Sequence, residues 1–201
     1  MGRDYAALLT DTPCWSQRTQ HIYDQTGVPL HDVALQAREE LVALCEFIAA
    51  HDVRSYLEIG VWTGRVVTAL HELFDFDLVA ACDLGLPERL GLPLRLPFGT
   101  RFFRGDSHGD AFVQWRAELG HVDLVFIDGD HSYDGVRRDW EINRRFPHRF
   151  LAFHDITGVD RTCRGVKRLW EELPGDKVEI LRPNRALSLP FSTMGIGIIA
   201  A

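Results

Sequence analysis

Short β-rich runs alternate with helical stretches along most of this chain, and that alternation restricts the fold more than any other feature. Strands are expected at 53–59, 77–82, 101–103, 122–127 and 149–153, with helices at 65–74, 107–119, 133–146 and 161–173. A longer helix is expected ahead of them, from Asp32 as its N-cap to Ala50, burying Leu35, Leu41, Val42, Cys45 and Ile48. Two closing β-rich runs, 177–182 and 195–200, have no helix between them and predict an antiparallel hairpin on the sheet edge. Strand–helix–strand units return by right-handed crossovers and build a parallel sheet with helices on both faces. The prediction is therefore an α/β fold: a Rossmann-like, doubly wound, seven-stranded sheet, mostly parallel, with an antiparallel C-terminal hairpin strand. Ligands of such sheets bind outside the carboxyl ends of the strands, where the strand order switches direction.

At 201 residues the chain has room for one domain, and 46% hydrophobic residues give it enough apolar material for a core. Residues 1–31 mix polar, aromatic, Pro and Gly residues, predict little regular structure, and are read as a lid segment ahead of a core at 32–201. Stretches 84–99, with three prolines and three glycines, and 183–193 break the periodic pattern and are read as substrate loops. With 22 basic against 29 acidic residues the chain carries a net charge of −7, which opposes a nucleic-acid partner. No apolar run approaches the roughly 18 residues of a membrane span, so no membrane partner is expected. The N-terminal MGRDYAALLTD carries acids where a secretory leader needs a basic and then apolar block, and Ala6 departs from the myristoylation pattern. Cysteines at 14, 45, 82 and 163 lack paired spacing, so a reducing, cytoplasmic setting is expected.

The residues after each expected strand carry the chemistry. The first strand leads through Glu58-Ile59-Gly60-Val61-Trp62-Thr63-Gly64 into a helix. Gly60 permits a sharp turn and Gly64 a close approach of backbone to ligand. This is neither a P-loop nor a dinucleotide fingerprint, because Trp62 stands where the middle glycine belongs. Glu58 at the turn suits a ligand carrying ammonium or sulfonium charge. Asp83, ending the second strand, can accept from both hydroxyls of a ribose. Asp106 and Ser107 follow the third strand, where either can cap the next helix and Asp106 can meet an adenine amino group. The fourth strand ends in Asp128-Gly129-Asp130-His131 and the fifth in His154-Asp155. If those strands are neighbours, Asp128 and Asp155 lie close, and paired carboxylates suit a hard cation such as Mg²⁺.

Together the run 58–64, Asp83, Gly105-Asp106-Ser107, the segment 126–133 and Phe153-His154-Asp155-Ile156 resemble class I S-adenosylmethionine-dependent methyltransferases. More narrowly, they resemble the small metal-dependent O-methyltransferases related to the catechol and caffeoyl-CoA enzymes, in the bacterial branch acting on sugars and natural products. The likeness runs from about Val53 to Ala201, including 165–170 and the closing Met194-Gly195-Ile196-Gly197. The resemblance implies that Gly60 and Gly64 pass beneath the methionine part of the cofactor and that Glu58 helps fix that end. It implies that Asp83 holds the ribose, that Asp106 with Ser107 lies beside adenine, and that Asp128, His154 and Asp155 bind Mg²⁺ or another divalent cation. Relatives carry an acid or an acid–amide pair where this chain has His154-Asp155, so His154 stays open between ligand, base and an orienting role. His131, three residues past Asp128, is the candidate general base, with Asp130 anchoring the turn, holding His131 or touching substrate.

The implied partners are a small-molecule hydroxyl acceptor, a sugar or natural product, and further copies of the chain in a homo-oligomer. Arg89, Arg95, Arg182 and Arg185 are candidates for pairing an acidic substrate group. Two other readings stand beside this one: an NAD(P)-binding oxidoreductase on a similar sheet, and a non-catalytic methyltransferase-fold binding module.

Overall fold

The computed structural model describes residues 2–158, 161–183 and 194–201. Seven strands form one sheet: β1 (Ser55–Ile59), β2 (Leu78–Asp83), β3 (Arg101–Arg104), β4 (Val122–Ile127), β5 (His148–His154), β6 (Lys177–Ile180) and β7 (Ile196–Ala200). Their order is β3-β2-β1-β4-β5-β7-β6, and β7 is reversed, pairing antiparallel with both β5 and the edge strand β6. The direction of winding reverses between β1 and β4, which fixes where a ligand cleft opens.

The inner strands are buried on both faces, unlike the edge strands β3 and β6, and alternate in what they touch. Tyr56, Leu124, Phe126 and Ala152 face one way, onto α3 (Arg38–Ala50) and α4 (Arg65–Leu73), through Leu41, Leu44, Ile48, Val67 and Leu70. Leu57, Val125, Ile127, Leu151 and Phe153 face the other way, onto α6 (Asp110–Leu119), α7 (Tyr133–Asn143) and α8 (Arg164–Glu172). Each buried Leu, Ile, Val or Phe among them contributes about 1.5–3 kcal/mol, so the core fixes strand register tightly. That register sets Ile59 beside Ile127 and Ile127 beside Phe153, so the residues that follow leave the sheet side by side.

The N-terminal segment is more regular than its composition implied. It forms α1 (Tyr5–Leu8), capped by Asp4, and α2 (Gln17–Thr26), closed by a Ser16–Thr19 capping box and by Gly27 in the left-handed region at φ 68°. The long helix begins at Arg38, not Asp32. Residues 34–36 are instead drawn into extended pairing with 13–15: Ala34 N donates to Pro13 O at 2.8 Å and Trp15 N to Gln36 O at 3.1 Å. Leu41, Cys45 and Ile48 are buried as expected, while Leu35 lies outside the helix and lines the cleft. The helix after β3 begins at Asp110 with Gly109 as its N-cap, so neither Asp106 nor Ser107 caps it; Asp106 Oδ1 accepts from His108 N in a preceding turn. A short helix, α5 (Leu86–Arg89), interrupts the stretch 84–99. Arg185 and nearly all of 183–193 lie outside the described residues.

Candidate cofactor and metal site

A cavity of about 630 Å³ opens at the carboxyl ends of the strands, where the winding reverses. Of the expected site residues, Glu58, Gly60, Asp83, Asp106, Ser107, Asp128, His131, His154 and Asp155 all line it. Gly64 does not. Its φ is 83°, and a Cβ there would stand 2.1 Å from the Arg95 carbonyl oxygen, so the chain packed on this turn requires glycine. Gly60, at φ 84°, combines both demands: a Cβ there would fall 2.2 Å from the Asp128 carbonyl, so the β1 and β4 ends approach only with glycine in place.

At the end of the cavity beside β2, loop amides hold the Asp83 carboxylate. Gly85 N and Leu86 N donate to Oδ1, and Trp62 N donates to Oδ2 at 3.1 Å. Burial raises the Asp83 pKa, and these three donors work against that rise. Glu58 is 2% exposed and accepts from the Tyr56 hydroxyl at 2.7 Å. Burial pushes its carboxyl up to about 8, against the opposing Tyr56 hydrogen bond, so a cationic ligand beside it would favour its charged form. Trp62 adopts φ 49° and forms part of the wall.

At the other end, two carboxylates and two imidazoles interlock. Asp128 Oδ1 meets His131 Nε2 at 3.2 Å and His154 Nδ1 at 3.1 Å, and His154 Nδ1 lies 3.4 Å from Asp155 Oδ2. Potential ligand atoms of Asp128, His154 and Asp155 all lie within 4.8 Å of one another. Burial disfavours the Asp128 charge, but His154 and His131 outweigh it and hold the carboxyl well below its usual range. Burial disfavours the charged form of both imidazoles, and the facing Asp128 and Asp155 carboxylates reverse this and hold them protonated. Asp155 sits at φ 63°, a left-handed position that Asp tolerates and that turns the chain directly after β5. Asp130 anchors its turn by accepting from Ser132 N at 2.8 Å.

Several residues here were not legible as site residues. Cys163 Sγ lies 3.3 Å from His131 Nδ1 and 3.2 Å from Asp155 Oδ2. Gln36 Nε2 donates to Asp128 Oδ2 at 3.4 Å, and Arg65 lines the cavity from the first turn of α4. Glu40, 0% exposed, accepts from Gly195 N, and its charge acts on His154. Arg89, Arg95 and Arg182 are not among the cavity-lining residues. Trp15, Tyr23 and Pro29 of the N-terminal segment, with Val33, Leu84 and Leu86, form much of the apolar wall. No helix among the described residues is long and apolar enough to cross a membrane.

No protein-family model matches the sequence, and no curated protein does. Solved structures share its architecture. The O-methyltransferase from Bacillus cereus in complex with S-adenosylhomocysteine aligns over 100% of this chain and 93% of its own, at 15% identity and TM-score 0.58. The O-methyltransferase TomG of Streptomyces achromogenes, involved in tomaymycin synthesis and bound to S-adenosylmethionine, aligns over 98% and 89%, at 14% identity and TM-score 0.55. MycE, a methyltransferase of the mycinamycin pathway bound to Mg and S-adenosylhomocysteine, aligns over 77% of this chain and 46% of its own, at 17% identity and TM-score 0.51. The chain has the Rossmann-like fold of class I O-methyltransferases.

Proposed function

We propose that this protein is an S-adenosylmethionine-dependent O-methyltransferase that methylates a hydroxyl of a small molecule, a sugar, glycoside or other natural product, with the help of a divalent cation. One observation carries the reading: Asp128, His131, His154 and Asp155 converge in the cavity that also holds Glu58, Gly60 and Asp83. The natural-product lean is supported by fold neighbours that act in such pathways. Two carboxylates and an imidazole within 4.8 Å fit a dication, and Asp128, His154 and Asp155 would hold it.

Methyl transfer from a sulfonium is an in-line displacement at an already activated carbon, so the chain must align the reactants and supply an oxygen nucleophile. Alignment contributes as much as roughly 7–11 kcal/mol in well-oriented systems. Asp83, with its loop amides, would fix the ribose, and Glu58 would face the cationic end of the donor, while Asp106 and Ser107 stand at the adenine end. A cation bound between the carboxylates would lower the pKa of the acceptor hydroxyl. With their charge compensated, Asp128 and Asp155 would no longer hold His131 protonated, and its imidazole would take the hydroxyl proton. Trp15, Tyr23 and the 84–86 segment would exclude water from the reacting atoms.

A thermal-shift panel tests the cofactor assignment. S-adenosylmethionine and S-adenosylhomocysteine are expected to raise the melting temperature, and NAD and NADP to leave it unmoved. A larger shift with either dinucleotide would move the protein to the oxidoreductase reading. Trp62 in the place of a glycine motivates the expected order.

A further inference from the structure

The three candidate cation ligands are not equivalent in chemistry. Mg²⁺ is a hard ion that takes oxygen ligands and water, whereas imidazole suits zinc, iron and other first-row transition metals. Here β5 ends in a histidine whose side chain is 2% exposed and whose Nδ1 points between two carboxylates, 3.1 Å from Asp128 Oδ1 and 3.4 Å from Asp155 Oδ2. A solvent-facing or turn-capping histidine would have neither the burial nor that double contact.

The surroundings of each candidate ligand add independent support. Metal ligands are characteristically held from behind by outer partners that fix their orientation. Asp128 receives Gln36 Nε2 on its second oxygen, and Asp155 Oδ2 receives the Cys163 thiol at 3.2 Å. His154 has a buried Nε2 with no hydrogen-bond partner among the described residues, and Glu40, whose charge acts on it, has an Oε2 in the same condition. Burial pushes the Glu40 carboxyl up to about 7, with His154 opposing that rise. Asp128 and Asp155 are thus held by hydrogen bonds from the segment before α3 and from the N-terminus of α8, while His154 feels the buried charge of Glu40 on α3.

We propose that His154 Nδ1 is a cation ligand alongside one carboxylate oxygen each from Asp128 and Asp155, and that this two-oxygen, one-nitrogen set selects a first-row transition-metal dication over Mg²⁺. The inference rests on reading this cluster as the cation site of the methyltransferase. It departs from the Mg²⁺ that the resemblance implies, and the nitrogen donor is the reason.

The test uses the full chain, freed of metal by a chelator and titrated with Mn²⁺, Zn²⁺ or Mg²⁺ alone. Pulsed electron paramagnetic resonance of the Mn²⁺-loaded protein should display coupling to a histidine ¹⁴N, retained in His131→Gln and lost in His154→Asp. Calorimetric titration should give a Zn²⁺:Mg²⁺ affinity ratio that falls about tenfold or more in His154→Asp, the scale on which even outer partners affect metal affinity. The proposal is overturned if the wild type lacks nitrogen coupling, if the coupling survives in His154→Asp or disappears in His131→Gln, or if the affinity ratio stays unchanged. Should His154→Asp fail to fold, the wild-type and His131→Gln spectra decide alone. S-adenosylhomocysteine binding is measured on the same samples. Nitrogen coupling without cofactor binding would sink the methyltransferase reading and leave the metal assignment standing, and the converse would sink only the latter.

Discussion

Asp128→Ala should lower the turnover of methyl transfer by about 10³-fold or more, while the affinity for S-adenosylhomocysteine stays within about threefold of wild type. The rate loss corresponds to roughly 4 kcal/mol of barrier, the order expected when a group holding a Lewis acid against the reacting oxygen is removed. Asp155→Ala should behave alike, since both carboxylates meet the same His154 nitrogen. Folding is the competing explanation. Asp128 lies between two imidazoles that it holds charged, and removing one partner of a buried ionic cluster costs about 3–5 kcal/mol. Asp128→Asn keeps the shape and a hydrogen-bond acceptor while removing the charge. It should match the alanine variant in rate and exceed it in melting temperature. Turnover within tenfold of wild type in a folded Asp128→Asn protein would remove this carboxylate from the chemistry.

The second large effect is at His131. His131→Ala should lower kcat by about 10²-fold, within the range for losing a general base, with part of the loss recovered at high pH, where more of the acceptor ionises unaided. His131 stands at the hinge of the cluster, with Nε2 on Asp128 and Nδ1 against Cys163, so Nε2 becomes free to take a proton once the Asp128 carboxylate is otherwise engaged. The pH profile separates this from a structural role, because a merely misfolded site would not regain activity in alkali. A loss of less than about threefold would dismiss His131 as the base.

What could be read from the sequence followed burial. The β4 run Val122–Ile127 is apolar on both faces apart from Asp123 and is bounded by polar turns, so both its limits and its site-bearing end were legible. The same holds for the glycine turn after β1, where Gly60 has a backbone reason visible in the sequence. The N-terminal helices were hidden because α2 is largely exposed and carries no apolar stripe, leaving only the Ser16–Thr19 box as a local signal. The start of α3 was misplaced because Asp32 looks like a cap, whereas pairing of 34–36 with 13–15 holds those residues extended. Gln36, Glu40 and Cys163 escaped notice for a different reason. Gln36 reaches Asp128 across 92 positions and Glu40 reaches Gly195 across 155, and no local pattern marks contacts made only by tertiary packing.

The two glycines of the turn after β1 differ in their surroundings: Gly60 borders the cavity against the Asp128 carbonyl, and Gly64 packs against the Arg95 carbonyl. The loop arginines had the right charge for an acidic substrate, but Arg89, Arg95 and Arg182 are not among the residues that line the cavity, whereas Arg65 is.

A cation and a methyl donor would share one cavity, and anomalous diffraction examines that most directly. A crystal grown with S-adenosylhomocysteine and Mn²⁺ should give a single strong anomalous peak between the carboxylates of Asp128 and Asp155, with the ribose hydroxyls on Asp83 and the cofactor sulfur facing the metal across the cavity. Cofactor bound elsewhere, or Mn²⁺ absent from that position at saturating concentration, would contradict it.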